Sequence, residues 1–238
     1  MCGHATLATA FVLMNFVEPD VKEVEFSTLS GKLSIKNGVY EMDFPAYELK
    51  QLEVTETMEK AIGFKPLEAR IGRDLICVLE NEDQVIQAKP DVEKVKALEG
   101  LLRHITTKGK VKYDCVSRTF APKLAVDEDP VCGSGHCHLV SLWSEKLRKN
   151  EILAYQASAR GGLLYCELDD SRVKLAGKAA IFSVGSLNIE SKQSDSKLNF
   201  DSKMARCDSE NRLKRHDKRR RILKTGREGS FLNGFTGS

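Results

Sequence analysis

The pattern of apolar and polar positions predicts two apolar helices, each opened by a short turn that contains glycine. The first is predicted over residues 2–16 and carries no charged side chain between positions 5 and 14. A helix that is apolar all round is usually buried, so we expect this one to lie in a core. The second is predicted over residues 137–147, where apolar residues recur at helical spacing behind the turn 133–135.

Strands are predicted where apolar and polar residues alternate, as they do in half-buried antiparallel sheets. Asn37-Gly38 supplies the two positive-φ positions of a type I′ turn, so residues 32–36 and 39–44 are predicted to form a hairpin. Asp91 is the expected cap of an amphipathic helix over residues 91–103. The remaining predictions are a helix or helical loop at Glu48–Ile62 and strands at Glu23–Leu29, Asp74–Glu80, Lys110–Phe120, Gln156–Ser158, Leu163–Leu168, Arg172–Ala176 and Lys178–Val184.

The turn that opens the second helix is the first candidate site. Pro130 disfavours the helical region for the residue before it, so Asp129 is expected on an extended segment just ahead of the turn. Gly133 and Ser134 offer backbone N–H donors and one hydroxyl at a helix N-terminus, which suits a carboxylate ligand. A helix cap at Asp129 and ordinary helix-start chemistry at the turn explain the same residues without a ligand.

The first helix repeats this arrangement, since Cys2-Gly3-His4 resembles Cys132-Gly133-Ser134 in order and spacing. The echo suggests two similar halves. His4 is a candidate for proton handling because the unperturbed pKa of histidine lies near neutrality. A hydrogen-bonded histidine with no role beyond the helix start is the alternative for His4.

Four motifs, found in register between residues 2 and 188, together resemble the phenazine-biosynthesis-like (PhzF) isomerase family, including its animal members. The resemblance implies an α/β protein of the diaminopimelate-epimerase-like fold, in which two halves each wrap a curved sheet around a central helix. It also implies a cofactor-free proton shift on a small carboxylate-bearing substrate, and a homodimer. The motifs are Gly3-His4-Ala5-Thr6-Leu7-Ala8, Arg118-Thr119-Phe120-Ala121-Pro122, Glu128-Asp129-Pro130-Val131-Cys132-Gly133-Ser134 and Gln156-Ala157-Ser158-Ala159-Arg160-Gly161-Gly162.

The resemblance assigns roles to residues that match its motifs. It implies that Asp129 and His4 are catalytic, positioning substrate and handling a proton, and that Gly3, Gly133 and Ser134 bind the substrate. It divides the chain into an N-terminal half at 1–110, a C-terminal half at 111–190 and a tail at 191–238.

The chain also departs from the family pattern. In the family a segment with an Asn-Pro motif and a general-base glutamate precedes the Gly-His-Ala-Thr motif, and no glutamate of this chain matches it. We therefore expect the first half to be incomplete. A catalytically inactive protein-interaction module is the alternative function.

Two-cysteine chemistry is the second alternative. In related racemases and epimerases of this fold, a cysteine on each half precedes a glycine at a central helix, as Cys2 and Cys132 do here. Such a pair needs one thiolate, which a helix N-terminus favours. A zinc site is not expected, because Cys132, His136, Cys137 and His138 lack a second, separated pair of ligands.

Composition and charge narrow the expected cellular compartment and the expected partners. Seven scattered cysteines without a C-x-x-C pair suit a reduced cytoplasmic compartment. The apolar stretch 5–17 follows no Lys or Arg and is shorter than the roughly 20 residues that span a bilayer, so neither a secretion signal nor a membrane segment is expected. The tail 191–238 holds thirteen Lys or Arg and six Asp or Glu, which predicts disorder and makes it the one expected contact with nucleic acid.

Overall fold

The computed structural model describes residues 3–28, 31–36, 39–185 and 212–214. Backbone contacts divide the chain into two compact units. The first contains Met1–Tyr40 and Lys178–Gly237, and the second contains Glu41–Gly177 and Ser238. Each unit is described by itself.

Helices and strands alternate irregularly in the described ranges. The helices are α1 (Gly3–Val12), α2 (Glu56–Ile62), α3 (Glu82–Gln87), α4 (Val92–Ala97) and α5 (Gly133–Leu147). The strands are β1 (Glu23–Thr28), β2 (Gly31–Lys36), β3 (Tyr40–Pro45), β4 (Lys50–Leu52), β5 (Glu68–Ile71), β6 (Leu75–Val78), β7 (Arg103–Lys108), β8 (Cys115–Ala121), β9 (Val126–Asp129), β10 (Glu151–Gln156), β11 (Gly162–Asp169), β12 (Arg172–Gly177) and β13 (Arg212–Lys214).

The first unit combines α1 with a small antiparallel sheet. A π-helical turn, Leu13–Val17, continues α1, and β1 pairs with β2 on one side and with β13 on the other. The Phe11 ring meets the Tyr40 ring edge to face, with centroids 5.6 Å apart, and Asn15 Nδ2 donates to the Tyr40 hydroxyl. Such aromatic contacts favour the packing of α1 beyond the apolar area that they bury.

The second unit is built on one large mixed sheet. Its strands follow the order β3-β12-β11-β10-β8-β7-β6-β5-β4, and β9 pairs with β8. The pairs β6–β7 and β8–β10 are parallel, and the other pairs with a described register are antiparallel. Helix α5 packs against β7, β10, β11 and β12. The sheet therefore fixes the helix whose first turn is the candidate site.

Helix α5 buries its apolar side chains in the second unit. Leu139, Val140 and Leu142 are fully buried, as the apolar spacing requires. Trp143 is also buried, and its indole N–H donates to Thr106 Oγ1 at 3.0 Å. The hydroxyl of Thr106 donates in turn to the Val116 carbonyl at 2.8 Å, so the one polar atom of the tryptophan is satisfied.

Several predicted elements are confirmed with shifted ends. The second apolar helix is α5, which begins at Gly133, and the buried strand at 74–80 is β6. Asp91 caps α4 by accepting the Lys94 N–H at 3.2 Å, but the helix ends at Ala97 because the chain turns into β7. The segment at 48–62 holds both β4 and α2.

The predicted hairpin around Asn37-Gly38 is wrong. The turn itself lies outside the described residues, but β2 pairs with β1, whereas β3 belongs to the large sheet beside β12. Alternation predicts a strand with one buried face, and it does not say which partner covers that strand. Residues 178–185 form no extended strand either, apart from a single bridge at Ile181.

Helix α1 is less buried than its sequence predicts. Only Ala8 and Ala10 of its ten residues are buried, and the following turn adds Met14. Phe16 and Val17 are more than half exposed, at 54% and 55%. The large sheet packs against α5 through four of its strands, and α1 has no comparable contact with the described strands.

Two boundaries predicted from the sequence can be compared with the structure. Residue 110, where the sequence predicts the two halves to meet, lies between β7 and β8 of one sheet. Within the tail, residues 212–214 pair with β1, and the predicted disorder of the rest lies outside the described residues. Among the helices that the structure describes, none is long and apolar enough to cross a bilayer.

Candidate active site

The turn that opens α5 presents two backbone N–H groups that have no acceptor among the described residues. These N–H groups belong to Gly133 and Ser134. Both residues are only half-buried. A Cβ placed on Gly133 would meet only Leu175 Cδ1 at 3.9 Å, so a ligand can approach this backbone closely. Unpaired N–H groups at the positive end of a helix suit an anion.

The thiol of Cys132 caps the start of α5. Its sulfur accepts the N–H of Gly135 at 3.3 Å and lies 3.5 Å from the Ser134 hydroxyl oxygen. The Gly135 donor is therefore used inside the protein. The predicted anion-binding turn is left with the N–H groups of Gly133 and Ser134 and the Ser134 hydroxyl.

The loop that carries Asp129 is held at both ends by one buried side chain, Gln156. Its Oε1 accepts the Cys132 N–H at 2.8 Å, and its Nε2 donates to the carbonyl oxygen of Asp129. Ser158 Oγ adds a donor to the Pro130 carbonyl at 2.7 Å. Gln156 and Ser158 belong to a motif of the family resemblance, but the sequence alone gave them no role. The structure shows that they fix this loop.

Asp129 ends strand β9, so the extended backbone expected from the following proline is confirmed. Its Oδ1 accepts the N–H of Val131 at 3.0 Å, which is the local hydrogen bond of an Asx turn. The alternative of a helix cap at Asp129 is wrong, because the N-cap of α5 is Cys132 and the Asp129 carboxylate bonds within its own turn. The residue is half-buried and stands three residues before the helix N-cap.

Arg118 joins this region to the neighbouring loop. Its Nε and Nη2 donate to the two carboxylate oxygens of Glu128 at 2.7 and 3.0 Å, in a bidentate pair. Its Nη1 donates to the Ala88 carbonyl at 2.7 Å. This charged pair fixes Glu128, the residue before Asp129 on β9.

The environment of Cys132 does not favour a thiolate. The residue is 3% exposed, and burial together with the nearby Asp129 carboxylate raises the pKa of its thiol to about 12. The two hydrogen bonds at the helix start lower that pKa by less. Cys132 is thus a neutral thiol at pH 7 that caps a helix. Its predicted partner Cys2 lies outside the described residues.

The other predicted site residues belong to the first unit. Gly3 is the first residue of α1 and is half-buried, and His4 follows it at an exposed position. The helix that they open carries no Asp, Glu, Lys or Arg. The resemblance remains the source of the roles expected for these two residues.

A buried cluster of Asp74, His104 and His138 was not predicted. One donor atom of each side chain lies within 4.8 Å of the others, and all three residues are fully buried. His138 stands on α5, and Asp74 and His104 stand on or beside the parallel strands β6 and β7. The only sequence signal for this cluster was an aspartate at the start of an apolar strand. The two histidines lie 30 and 64 positions further along the chain, so their spacing does not link them to Asp74.

The side chains of Asp74 and His104 are fully hydrogen-bonded, whereas Nε2 of His138 has no hydrogen-bond partner among the described residues. Although burial alone would raise it, hydrogen bonds from His104 and Arg73 hold the pKa of Asp74 far below its usual range. Burial lowers the pKa of His138 to about 4, so its ring is neutral at pH 7. Its Nδ1 lies 3.1 Å from the Ser134 carbonyl, which only accepts, so Nδ1 carries the proton. The nitrogen nearest Asp74 therefore has no lone pair for a metal.

Comparisons with known proteins agree with this architecture. A PhzF-family crystal structure from Enterococcus faecalis is 42% identical and matches with a TM-score of 0.74 over 77% of this chain and 71% of that one. An uncharacterized isomerase of Pseudomonas aeruginosa is 38% identical over 192 residues, which cover 79% of this chain and 73% of that protein. The human phenazine biosynthesis-like domain-containing protein is 35% identical over 216 residues, with the same two coverages.

The class of protein follows first from the fold. A mixed α/β architecture, matched by PhzF-family structures, is the diaminopimelate-epimerase-like fold that the sequence predicts. The family model described as phenazine biosynthesis-like protein, PhzC-PhzF, matches residues 1–185. This chain therefore belongs to the PhzF family.

Proposed function

We propose that this protein is an isomerase that shifts a proton within a small carboxylate-bearing substrate without a cofactor. The observation that carries the proposal is the half-buried turn 133–134, whose two N–H groups have no acceptor in the described part of the chain, beside the clamped loop of Asp129. Membership of the PhzF family and the name of the Pseudomonas aeruginosa relative support the reaction type.

Each residue has a distinct part in this proposal. The N–H groups of Gly133 and Ser134, with the Ser134 hydroxyl, hold the substrate carboxylate. Asp129 positions the substrate and handles the proton, for which a carboxylate within hydrogen-bond reach suffices. His4 and Gly3, which the family resemblance adds, contribute a second proton-handling group and a second backbone donor.

The main alternative is a binding protein without catalysis. A protein that only binds an anionic partner at the turn 133–134 needs no general base. Two-cysteine racemisation is less well supported, because the buried Cys132 keeps its proton at neutral pH. A cytoplasmic location, a homodimer and nucleic-acid contact through the tail alone stay predictions.

Solvent isotope exchange tests the proposal without knowledge of the substrate. The full chain is incubated in D₂O with a panel of amino, hydroxy and unsaturated carboxylic acids, and mass spectrometry follows deuterium uptake. A proton shift through a protein group exchanges the migrating proton, so we expect uptake of one deuterium into at least one acid. Binding of an acid without uptake would contradict the isomerase and support the binding protein.

Matched variants assign that exchange to residues. Asp129→Asn should lower the exchange rate by roughly a hundredfold, since proton transfer by a positioned group contributes about that much. Asp127→Asn, at an exposed position two residues earlier, is the control and should leave the rate unchanged. His4→Gln tests the first-unit residue, and loss of exchange in Cys132→Ser alone would instead favour two-cysteine chemistry.

A further inference from the structure

The buried cluster of Asp74, His104 and His138 contacts the same turn that the proposed function uses. We infer that these three residues are positioning residues, which set the conformation of the turn 133–135 at the start of α5. The inference deepens the proposed function and rests on it only for the statement that the turn binds substrate. The conformation of the turn can be tested by itself.

Asp74 is the fixed centre of the cluster. Its Oδ1 accepts from Arg73 Nε at 2.9 Å and from the Leu102 N–H at 3.2 Å. Its Oδ2 accepts from Arg73 Nη2 and from His104 Nε2, the latter at 3.3 Å. A buried carboxylate with this many donors is held in one orientation, because leaving any of them unpaired costs free energy. Asp74 therefore anchors the His104 imidazole at the start of β6, and the His138 ring lies close to the same carboxylate.

His138 connects this anchor to the carbonyl group of the turn. Its protonated Nδ1 donates to the Ser134 carbonyl at 3.1 Å and lies 3.6 Å from Asp74 Oδ2. The face of its ring stacks on Tyr47, with centroids 3.9 Å apart and the planes inclined by 10°. The ring is thus fixed by its edge and by its face. It holds the peptide group between Ser134 and Gly135.

His104 limits the position of the third residue of the turn. A Cβ on Gly135 would lie 2.5 Å from His104 Cε1 and 3.0 Å from Nδ1, closer than real Cβ contacts. The ring cannot move away, because Nε2 donates to Asp74 and Nδ1 accepts from the Thr119 hydroxyl at 3.0 Å. Gly135 is therefore required by His104, and the backbone of the turn lies directly against the imidazole.

A double-mutant cycle tests the link between Gly135 and His104. Glycine inside a helix is normally stabilised by substitution with alanine, so propensity alone predicts a higher Tm for Gly135→Ala. The contact with His104 predicts the opposite, a fall of about 5 °C, because overpacking a core is destabilising. His104→Ala removes the obstructing ring while Asp74 keeps Arg73 and the Leu102 N–H.

The expected result of the cycle is strong coupling. In the His104→Ala background, Gly135→Ala should lower Tm by less than half as much as it does with His104 present. Gly133→Ala is the matched control for Tm, since its new methyl would meet only Leu175 at 3.9 Å. Equal effects of Gly135→Ala in both backgrounds would overturn the inference.

The amide chemical shifts of Gly133 and Ser134 report the conformation of the turn separately from the stability of the fold. Without ligand, His138→Leu should shift both amides, and His138→Gln, which keeps an N–H donor, should restore them toward the wild-type values. Unchanged amides in His138→Leu, with a lowered Tm, would mean that the ring only stabilises the fold. That outcome would overturn the positioning role.

A titration with malonate separates this inference from the proposed function. Malonate should shift the Gly133 and Ser134 amides of the wild-type protein, and His138→Leu should weaken its binding roughly tenfold, as misplaced donors do. If wild-type protein shows no malonate shifts, the anion-binding part of the proposed function fails. The ligand-free shifts and the double-mutant cycle still decide the positioning role in that case.

Discussion

The two helices that begin with similar sequences differ sharply in their surroundings. Helix α5 buries nine of its fifteen residues and packs against a ten-stranded sheet, whereas α1 buries two of its ten residues. Similar sequences at the start of two helices therefore do not determine how deeply each helix is buried.

The largest expected difference between the two helices is in core packing. Leu142→Ala in α5 removes a fully buried side chain and should lower the free energy of unfolding by about 3 kcal/mol. Leu7→Ala in α1, at a half-buried position, should lower it by about 1 kcal/mol. Urea denaturation of both variants measures the two values. Equal losses would mean that α1 is packed as tightly as α5.

The second difference concerns the histidines of the two helix starts. Burial lowers the pKa of His136 in α5 to about 4, from the value near 6.5 of an unfolded chain. The unfolded state binds the extra proton between these pH values, so stability is complete above about pH 6.5 and falls as pH decreases toward 4. This one histidine contributes a loss of roughly 3 kcal/mol over that window.

His136→Gln should remove that contribution and flatten the dependence of the unfolding free energy on pH between 4 and 6.5. The exposed His4→Gln in α1 is the matched control, since it also removes one histidine. Denaturant titrations at several pH values measure the slopes. A slope that falls in the control as much as in His136→Gln would refute the assignment to the buried ring.

A smaller effect is expected for the loop that leads into α5. Gln156→Leu keeps the shape of the side chain but leaves the Cys132 N–H and the Asp129 carbonyl without their partner. We expect a loss of about 2 kcal/mol in the unfolding free energy, the usual cost of unsatisfied buried groups. Gln87→Leu, at an exposed position in α3, is the control. Similar losses of unfolding free energy in both variants would mean that Gln156 does not hold the loop.

The smallest expected effect concerns the reactivity of the Cys132 thiol. Because the Cys132 thiol is buried and its pKa is raised to about 12, iodoacetamide should label it far more slowly in native protein than in urea. Mass spectrometry of peptides after timed labelling measures both rates. Rapid native labelling of Cys132 would reopen the two-cysteine alternative at this helix start.

Local chemistry was readable from the sequence. The proline after Asp129 gave the extended backbone of β9, and the small residues after Cys132 gave the start of α5. Asp91 was found as a cap because capping involves residues only three positions apart. In each case the interacting groups are neighbours along the chain.

Contacts that depend on strand order could not be predicted from the sequence. The hairpin at Asn37-Gly38 was wrong because β3 pairs with β12, a strand more than a hundred residues later. The roles of Gln156, and of Asp74 with His104, depend in the same way on which strands become neighbours. Residue type and spacing place none of these partners together. The predicted anion-binding turn was located, but the side chains that hold it were not.

The clamp by Gln156 also has a consequence for the order in which the protein assembles. Gln156 follows Asp129 by 27 residues and stands at the end of β10, which pairs in parallel with β8 after the chain has crossed through α5. Such non-local pairing closes late, since chain entropy opposes it. During synthesis, Asp129, Gly133 and Ser134 therefore leave the ribosome before the strand that orients them. A nascent chain ending near residue 150 has the chemical groups of the site without its geometry.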